Sequence, residues 1–226
     1  MPNAPFPTLW LAGATGLVGR QVLQQALADP ALHTVQLLGR RLPAVPADRR
    51  VQARVVDFSA LPALGPAGPQ DAAVCALGTT LRVAGSQAAF RAVDHDAVLA
   101  CARALRAAGV QRFGLVSALG ADPASAVFYN RVKGEAEAAV KALGFAHLVI
   151  ARPSLLMGDR AALGQPLRWG ERLGQALGRP LGPLLPAGWR PIAAAVVARA
   201  LLQALAQDPA GTLVLESAEL QQLGRL

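Results

Sequence analysis

The stretch Thr8-Leu-Trp-Leu-Ala-Gly-Ala-Thr-Gly-Leu-Val-Gly19 decides the fold of this chain. Thr8–Ala12 has the length of a β-strand, and Leu17–Ala28 has the periodicity of a helix that ends at Asp29-Pro30. In the spacing G-x-x-G-x-x-G, the first glycine permits a tight turn, the second lets the backbone approach a pyrophosphate, and the third lets helix and strand pack closely. The free N–H groups at the helix start offer partial positive charge to an anion. We therefore predict a phosphate-binding unit whose contacts come from Gly13, Thr15, Gly16, Leu17, Val18 and Gly19.

Strand-like and helix-like segments alternate along the rest of the chain. Further strands are predicted at Thr34–Leu38, Val51–Val56, Asp71–Leu77, Arg112–Val116, Ala146–Ile150 and Thr212–Leu215, and further helices at Gln87–Ala108, Ala124–Leu143 and Pro191–Gln207. Such alternation is typical of a parallel sheet with right-handed crossovers. The predicted fold class is therefore α/β, a Rossmann-type doubly wound parallel sheet with helices on both faces and a small C-terminal substrate-side region.

The whole chain, residues 1–226, is expected to form one domain. Its length fits a single core, and neither an internal repeat nor a low-complexity linker divides it. Residues 152–190 carry many Gly, Pro and Arg, and we interpret them as a substrate-side insertion with a short helix near Leu167–Leu177. Pro2–Pro7 is predicted to be a loose leader.

Composition excludes several functional classes. The net charge is +8, but no basic helix with interleaved aromatics accompanies it, so we expect no nucleic-acid partner. The longest late apolar run, Ile192–Leu205, is interrupted by Arg199 and Gln203, so we expect no membrane span. Cys75 and Cys101 lack metal-ligand spacing and are predicted to be small buried residues, in a protein that binds no metal and is cytoplasmic. The oligomeric state is left open.

The end of the second strand bears on the choice of cofactor. A site for NAD usually places Asp or Glu there to bind the ribose 2′-hydroxyl, but this strand ends in Leu38-Gly39-Arg40-Arg41. A guanidinium can bind a 2′-phosphate with two hydrogen bonds, so we predict NADP(H), with NAD(H) less favoured and Arg40 the better candidate. Both arginines are equally compatible with a solvated surface. Asp57 either accepts a hydrogen bond from the adenine amino group or caps the turn at Ser59.

Tyr129 and Lys133 lie four residues apart on a predicted helix, which places them on one face. They are the only Tyr and one of only two lysines of the chain. A nearby ammonium lowers the pKa of a tyrosine, which can then exchange a proton with an alcohol or carbonyl oxygen while hydride moves to or from a nicotinamide. Ser117 follows the fifth strand, at the edge where such sheets bind ligands, and its hydroxyl could hold the substrate oxygen. The alternative is a half-buried Tyr beside a surface Lys.

The chain resembles the short-chain dehydrogenase/reductase superfamily. The features that carry this resemblance are the Gly13–Gly19 loop, Ala76-Leu77-Gly78-Thr79-Thr80, Ser117 and the pair Tyr129 and Lys133. More narrowly, the chain resembles the atypical branch that contains the Tat-interacting oxidoreductase and its bacterial relatives. The segments that carry this narrower resemblance are Leu77-Gly78-Thr79-Thr80, Val93-Asp94-His95-Asp96, Tyr129-Asn-Arg-Val-Lys-Gly-Glu-Ala-Glu137 and Arg152-Pro153-Ser154. The resemblance covers roughly Leu9 to Leu215.

The resemblance implies a Rossmann fold with NADPH in its cleft. It also implies that Ser117, Tyr129 and Lys133 hold the catalytic positions, that Lys133 binds the nicotinamide ribose, and that the cofactor contacts Leu77, Gly78 and Thr79. The Arg152, Pro153 and Ser154 segment would close over the nicotinamide end. Asp94 stands in the region where many members place an Asn that serves a proton relay.

The sequence favours an NADP(H)-dependent oxidoreductase that acts on an unidentified small carbonyl or alcohol. The first alternative is an NADP(H)-binding regulatory or sensor protein without turnover, because Asp94 departs from the superfamily pattern and no substrate motif is recognisable. The second is an epimerase or isomerase, although the C-terminal part is smaller than that of nucleotide-sugar epimerases. Arg160 and Arg168 are possible contacts for an acidic substrate group.

Overall fold

The computed structural model describes residues 6–44, 48–157, 186–207 and 210–225. Its elements are β1 (Thr8–Ala12), α1 (Leu17–Ala28), β2 (Thr34–Gly39), β3 (Val51–Val55), β4 (Ala72–Cys75), α2 (Leu81–Ala84), α3 (Gln87–Arg91), a π-helical turn (Ala92–Ala97), α4 (Val98–Ala107), β5 (Arg112–Val116), α5 (Phe128–Lys141), β6 (His147–Arg152), β7 (Leu156–Met157), β8 (Ile192–Ala193), α6 (Ala194–Ala206), β9 (Gly211–Glu216) and α7 (Ser217–Leu223). Short 3₁₀ turns lie at Phe58–Ala60 and Ala187–Trp189.

Seven strands form one sheet in the order β3-β2-β1-β4-β5-β6-β9, and every pairing in it is parallel. The strand order reverses beside β1, which pairs with β2 on one side and β4 on the other. Loops that leave the carboxyl ends of β1 and β4 therefore diverge and open a crevice, the usual ligand site of such sheets. The predicted doubly wound fold is confirmed.

Apolar side chains cover both faces of the sheet. Leu9 and Leu11 of β1 belong to a core that includes residues of α1 and α6, and Trp10 and Ala12 belong to a second core that includes residues of α4 and α5. Because successive side chains of a strand point to opposite faces, an unbroken apolar strand is what a sheet buried on both sides requires. Small residues bring the layers close: a Cβ on Gly114 would lie 3.0 Å from Leu205 Cδ1.

The predicted strands are confirmed with ends that shift by at most two residues, but some other boundaries were wrong. The predicted helix Gln87–Ala108 is interrupted by the π-helical turn. The predicted helix from Ala124 begins only at Phe128. The leader prediction fails at its end, because Phe6 is buried in the core.

Among the helices and strands, α2, α7, β7 and β8 were not predicted, and one predicted segment lies outside the described residues. The helix α7 begins with a capping box formed by Glu216 and Glu219. The short strands β7 and β8 form a separate parallel pair. Residues 158–185, with the predicted helix Leu167–Leu177 and Arg160 and Arg168, are not described.

Gly134 lets α5 contact the loop that follows β5. A Cβ at this position would lie 2.2 Å from the Asp122 carbonyl carbon and from the Pro123 nitrogen, both of which are backbone atoms. The Asp122 N–H also donates to the Asn130 carbonyl at 3.1 Å. The glycine therefore fixes the distance between the helix that carries Tyr129 and the segment after Ser117.

We expect Gly134→Ala to lower the free energy of unfolding by about 2 kcal/mol, because overpacked backbone must shift. Gly65→Ala is the matched control, since a Cβ on Gly65 meets nothing within 4 Å, and its effect should stay within about 0.5 kcal/mol. Denaturant unfolding of both variants measures the difference. If Gly134→Ala were as stable as Gly65→Ala, the backbone near Gly134 would have to accommodate the added methyl group without loss of stability, which would contradict the prediction.

Candidate active site

The loop between β1 and α1 is held in one conformation by its glycines. Gly13 has a φ of +86°, and a Cβ there would lie 2.5 Å from the Ala76 carbonyl carbon. A Cβ on Gly19 would lie 2.1 Å from the Gly13 oxygen, which also accepts a hydrogen bond from the Gly16 N–H at 3.0 Å. Neither Gly13 nor Gly19 therefore tolerates a side chain without backbone movement.

The start of α1 suits a pyrophosphate. Gly16 is the N-cap, no side chain caps the helix, and its first turn contains no acidic residue. A Cβ on Gly16 would lie 3.4 Å from the nearest atom, so the backbone there is open to close approach. Thr15 and Leu17 are partly exposed beside it, and Val18 is buried. Free N–H groups and a partial positive charge at an open helix start fit the phosphates of a dinucleotide.

The loop after β4 connects this phosphate loop to Lys133. Ala76 and Leu77 supply the backbone atoms that Gly13 approaches. A Cβ on Gly78 would lie 3.3 Å from Asp94 Oδ1 and 3.6 Å from Lys133 Nζ. The crevice between β1 and β4 therefore leads from the phosphate loop to the lysine.

Lys133 forms a buried ion pair with Asp94. Its Nζ lies 2.7 Å from Asp94 Oδ1, with side-chain exposures of 7% and 0%. The other oxygen of Asp94, Oδ2, accepts the Thr79 N–H at 2.8 Å. Burial lowers the pKa of Lys133, but the attraction of Asp94, together with that of Tyr129, outweighs burial, so the pKa lies above its ordinary value. The ammonium therefore keeps its charge inside the protein.

Tyr129 lies in the first turn of α5, one turn before Lys133. Its ring is partly buried against Phe90 of α3, with the ring centroids 5.3 Å apart. Arg91 and Glu135 form an ion pair between α3 and α5. The phenol is thus held on an apolar support, on the helix that also carries Lys133.

Ser117 comes directly after β5 and is bonded to a carboxylate that the sequence had not singled out. Its Oγ donates to Glu137 Oε1 at 2.6 Å, and both residues are buried. Arg152 donates to the two Glu137 oxygens at 3.0 and 2.7 Å and to Glu216 at 2.9 Å. Hydrogen bonds from Arg152 to Glu137 and Glu216 raise the pKa of the guanidinium, which stays charged despite its partial burial.

The segment after β6 lies beside Ser117. The Ser117 N–H donates to the Ala151 carbonyl at 2.8 Å, and the Pro153 carbonyl accepts the Leu119 N–H at 2.9 Å. Ser154 Oγ donates to the Arg190 carbonyl at 2.6 Å. The Arg152 side chain is directed to Glu137 and Glu216, while the backbone of the segment borders the site.

The carboxyl edge of the sheet also carries the residues that follow β2 and β3, on the far side of β1 from β4. These residues are Arg40, Arg41 and Asp57. Both arginines are exposed, and neither forms an ion pair with a carboxylate among the described residues. Asp57 caps the turn, because its Oδ1 accepts the Ser59 N–H and hydroxyl at 2.9 and 2.8 Å. These bonds, and to a lesser extent the charge of Arg40, hold the pKa of Asp57 below its ordinary value.

The structure thus brings the phosphate loop, the Leu77–Thr79 loop and Lys133 together, and it places Ser117 next to Glu137. In the part of the chain that the structure describes, no group of His, Cys, Asp and Glu could hold a metal ion, and no helix is long and apolar enough to cross a membrane. Cys75 and Cys101 are buried free thiols. Glu137 could have been noticed from sequence, because Tyr129, Lys133 and Glu137 follow one another at intervals of four.

Comparison with known proteins agrees with this geometry. A family described as NAD(P)H-binding matches residues 13–208. Protein HTATIP2 of Rattus norvegicus is 34% identical over 225 residues, which is 96% of this chain and 89% of that protein. Protein fmp52 of Emericella nidulans, named as mitochondrial, is 39% identical over 66% of this chain and 67% of its own. The expected cytoplasmic location therefore stays a prediction.

Solved structures share the fold. A UDP-glucuronic acid 4-epimerase from Bacillus cereus in complex with NAD superimposes with a TM-score of 0.64 and 13% identity, over 92% of this chain and 77% of that one. The fold, the phosphate loop and the match to the rat protein support the same family assignment. The chain has a Rossmann-type fold, belongs to the NAD(P)H-binding family and is a homologue of HTATIP2.

Proposed function

We propose that the protein is an NADP(H)-dependent oxidoreductase that acts on a small carbonyl or alcohol. The observation that carries the proposal is the placement of Tyr129 and Lys133 on one face of α5, with Lys133 beside the Gly78 loop that borders the phosphate loop. A dinucleotide held by the start of α1 and by the Gly78 loop would bring its nicotinamide end to this helix. The reaction then needs a proton donor or acceptor, which Tyr129 supplies.

Each group in the site has a separate task. The N–H groups at the start of α1 would bind the pyrophosphate, and the Lys133 ammonium would bind the ribose. When bound, the reduced cofactor supplies hydride to a carbonyl carbon. Tyr129 gives its hydroxyl proton to the carbonyl oxygen. Ser117 and the backbone of residues 153–154 border the space that the substrate would occupy.

A preference for NADP(H) is part of the proposal. Arg40 and Arg41 are exposed at the end of β2, where a carboxylate would exclude a 2′-phosphate. We expect NADPH to bind at least about tenfold more tightly than NADH, or roughly 1.4 kcal/mol. Arg40→Ala should shrink this difference, because it removes a charge-assisted contact to the 2′-phosphate.

Calorimetric titration with both cofactors measures the preference. Arg103→Ala is the matched control, since Arg103 is an exposed arginine on α4, and it should leave both affinities unchanged. Equal affinities of the unaltered protein for NADPH and NADH would overturn the preference.

The enzymatic part is tested by a substrate screen. Purified protein is incubated with NADPH and a panel of aldehydes, ketones and quinones, and the absorbance of the reduced cofactor is followed. We expect consumption of NADPH with at least one class of carbonyl. NADPH binding without consumption by any member would instead favour the second candidate.

A regulatory protein that binds NADP(H) without turnover is that second candidate. The observation that favours it is the hydrogen bond of Ser117, whose hydroxyl donates its proton to Glu137. A sensor would bind NADPH through the same loop and through Lys133. It would lose binding in a Lys133→Ala variant and have no rate to lose in a Tyr129→Phe variant.

A further inference from the structure

Asp94 joins two parts of the site from within the core. It is 1% exposed, and its two oxygens bind Lys133 Nζ at 2.7 Å and the Thr79 N–H at 2.8 Å. It projects from the π-helical turn Ala92–Ala97, and such turns are rare and occur often at functional sites. The carboxylate thus fixes Lys133 relative to the loop after β4.

The same contact changes the charge that Tyr129 experiences. A free ammonium near a phenol favours the phenolate, because opposite charges attract strongly in a medium of low polarity. An ammonium with a carboxylate 2.7 Å away is part of a pair without net charge, and its attraction for the phenolate is largely cancelled.

Among the residues that the structure describes, the charged or ionisable groups that α3 and β4 place beside this pair do not restore a net positive charge. Arg91 of α3 is paired with Glu135 of α5. The ring of Phe90, which supports Tyr129, is apolar. Cys75, at the end of β4, is a buried thiol that interacts with Cys101.

We propose that Asp94 is a positioning residue that acts through Lys133 and keeps Tyr129 in its protonated form, so that the site is built to reduce a carbonyl. This inference rests on the proposed function. In the step, a hydride from the reduced nicotinamide forms the new C–H bond, and the Tyr129 hydroxyl gives its proton to the carbonyl oxygen. The products are an alcohol, the oxidised nicotinamide and a tyrosinate that regains a proton from solvent.

The single tyrosine of the chain makes the inference directly measurable. Ionisation of Tyr129 is followed in the cofactor-free protein by the near-ultraviolet absorbance of tyrosinate as pH is raised. We expect Asp94→Asn, which leaves the ammonium uncompensated, to move this ionisation to lower pH by about one unit. Asp96→Asn is the matched control: Asp96 lies two residues away, is 60% exposed and binds His95, and its removal should leave the ionisation unchanged.

One further variant should shift the Tyr129 ionisation in the opposite direction, and a second keeps the test informative if Asp94→Asn does not fold. Lys133→Met leaves Asp94 uncompensated and should move the ionisation to higher pH. The double variant Asp94→Asn/Lys133→Met has no charge at either position and should titrate below Lys133→Met, near the unaltered protein. Circular dichroism identifies any variant that is not folded.

The inference is overturned if the titration of folded Asp94→Asn coincides with that of the unaltered protein or moves to higher pH. If that variant does not fold, the inference is overturned when the double variant and Lys133→Met titrate together. The titration needs no cofactor, so it is independent of the proposed function. Absence of NADPH binding to the unaltered protein would overturn the proposed function by itself.

Discussion

Tyr129→Phe lowers the turnover of an accepted substrate by about 10²- to 10⁴-fold, the usual contribution of a positioned proton donor. The affinity for NADPH should barely change, because the phenylalanine ring still packs on Phe90. Initial rates and cofactor titrations on the same preparation separate the two effects. An unchanged rate with an active substrate would remove Tyr129 from the mechanism and leave the fold intact.

The other two predicted catalytic residues should give a different pattern. Lys133→Ala should reduce both rate and NADPH affinity, and it should also destabilise the protein, because it leaves Asp94 buried without its cation. Ser117→Ala should affect the rate more than the affinity, since Ser117 follows β5, whereas the phosphate loop follows β1 and β4 lies between these strands. This ranking distinguishes an enzyme from a sensor, which shows only the binding defect of Lys133→Ala.

Gly16→Asp should abolish dinucleotide binding while the fold survives. The new carboxylate would lie at the open start of α1, where it repels the pyrophosphate, and we expect a loss of at least roughly 100-fold in NADPH affinity, or about 2.8 kcal/mol. Stability should be maintained, because Gly16 has extended backbone angles and Asp is a favoured N-cap.

Gly16→Asn is the matched control for this variant. It has nearly the size of Asp without the charge, so the difference between the two variants isolates the repulsion of the pyrophosphate. Calorimetry with NADPH and thermal unfolding measure affinity and stability. Unchanged NADPH affinity in Gly16→Asp would mean that the phosphates bind elsewhere.

The strands and the phosphate loop could be predicted from sequence because their signals are local. A strand buried on both faces must be apolar at every position, and Gly19 is required by its contact with Gly13 inside one strand–turn–helix unit. The contact of Gly13 with Ala76, in the loop after β4, depends on the fold of the sheet. The helix α7 carried a readable signal in Glu216 and Glu219, which form its capping box.

The buried ion pairs could not be predicted in the same way. Asp94 and Lys133 lie on different elements, and only the fold brings them within 2.7 Å. The π-helical turn that carries Asp94 has the apolar periodicity of an ordinary helix, so the predicted helix Gln87–Ala108 ran through it. The bonds from Ser117 and Arg152 to Glu137 likewise join three separate elements.

A crystal structure of the protein with bound NADP⁺ tests the central claim most directly. We predict the pyrophosphate on the N–H groups at the start of α1, the 2′-phosphate beside Arg40, and the nicotinamide ring between Tyr129 and the backbone of residues 153–154. A dinucleotide bound away from the Gly13–Gly19 loop, or with its nicotinamide out of reach of the Tyr129 hydroxyl, would contradict the account.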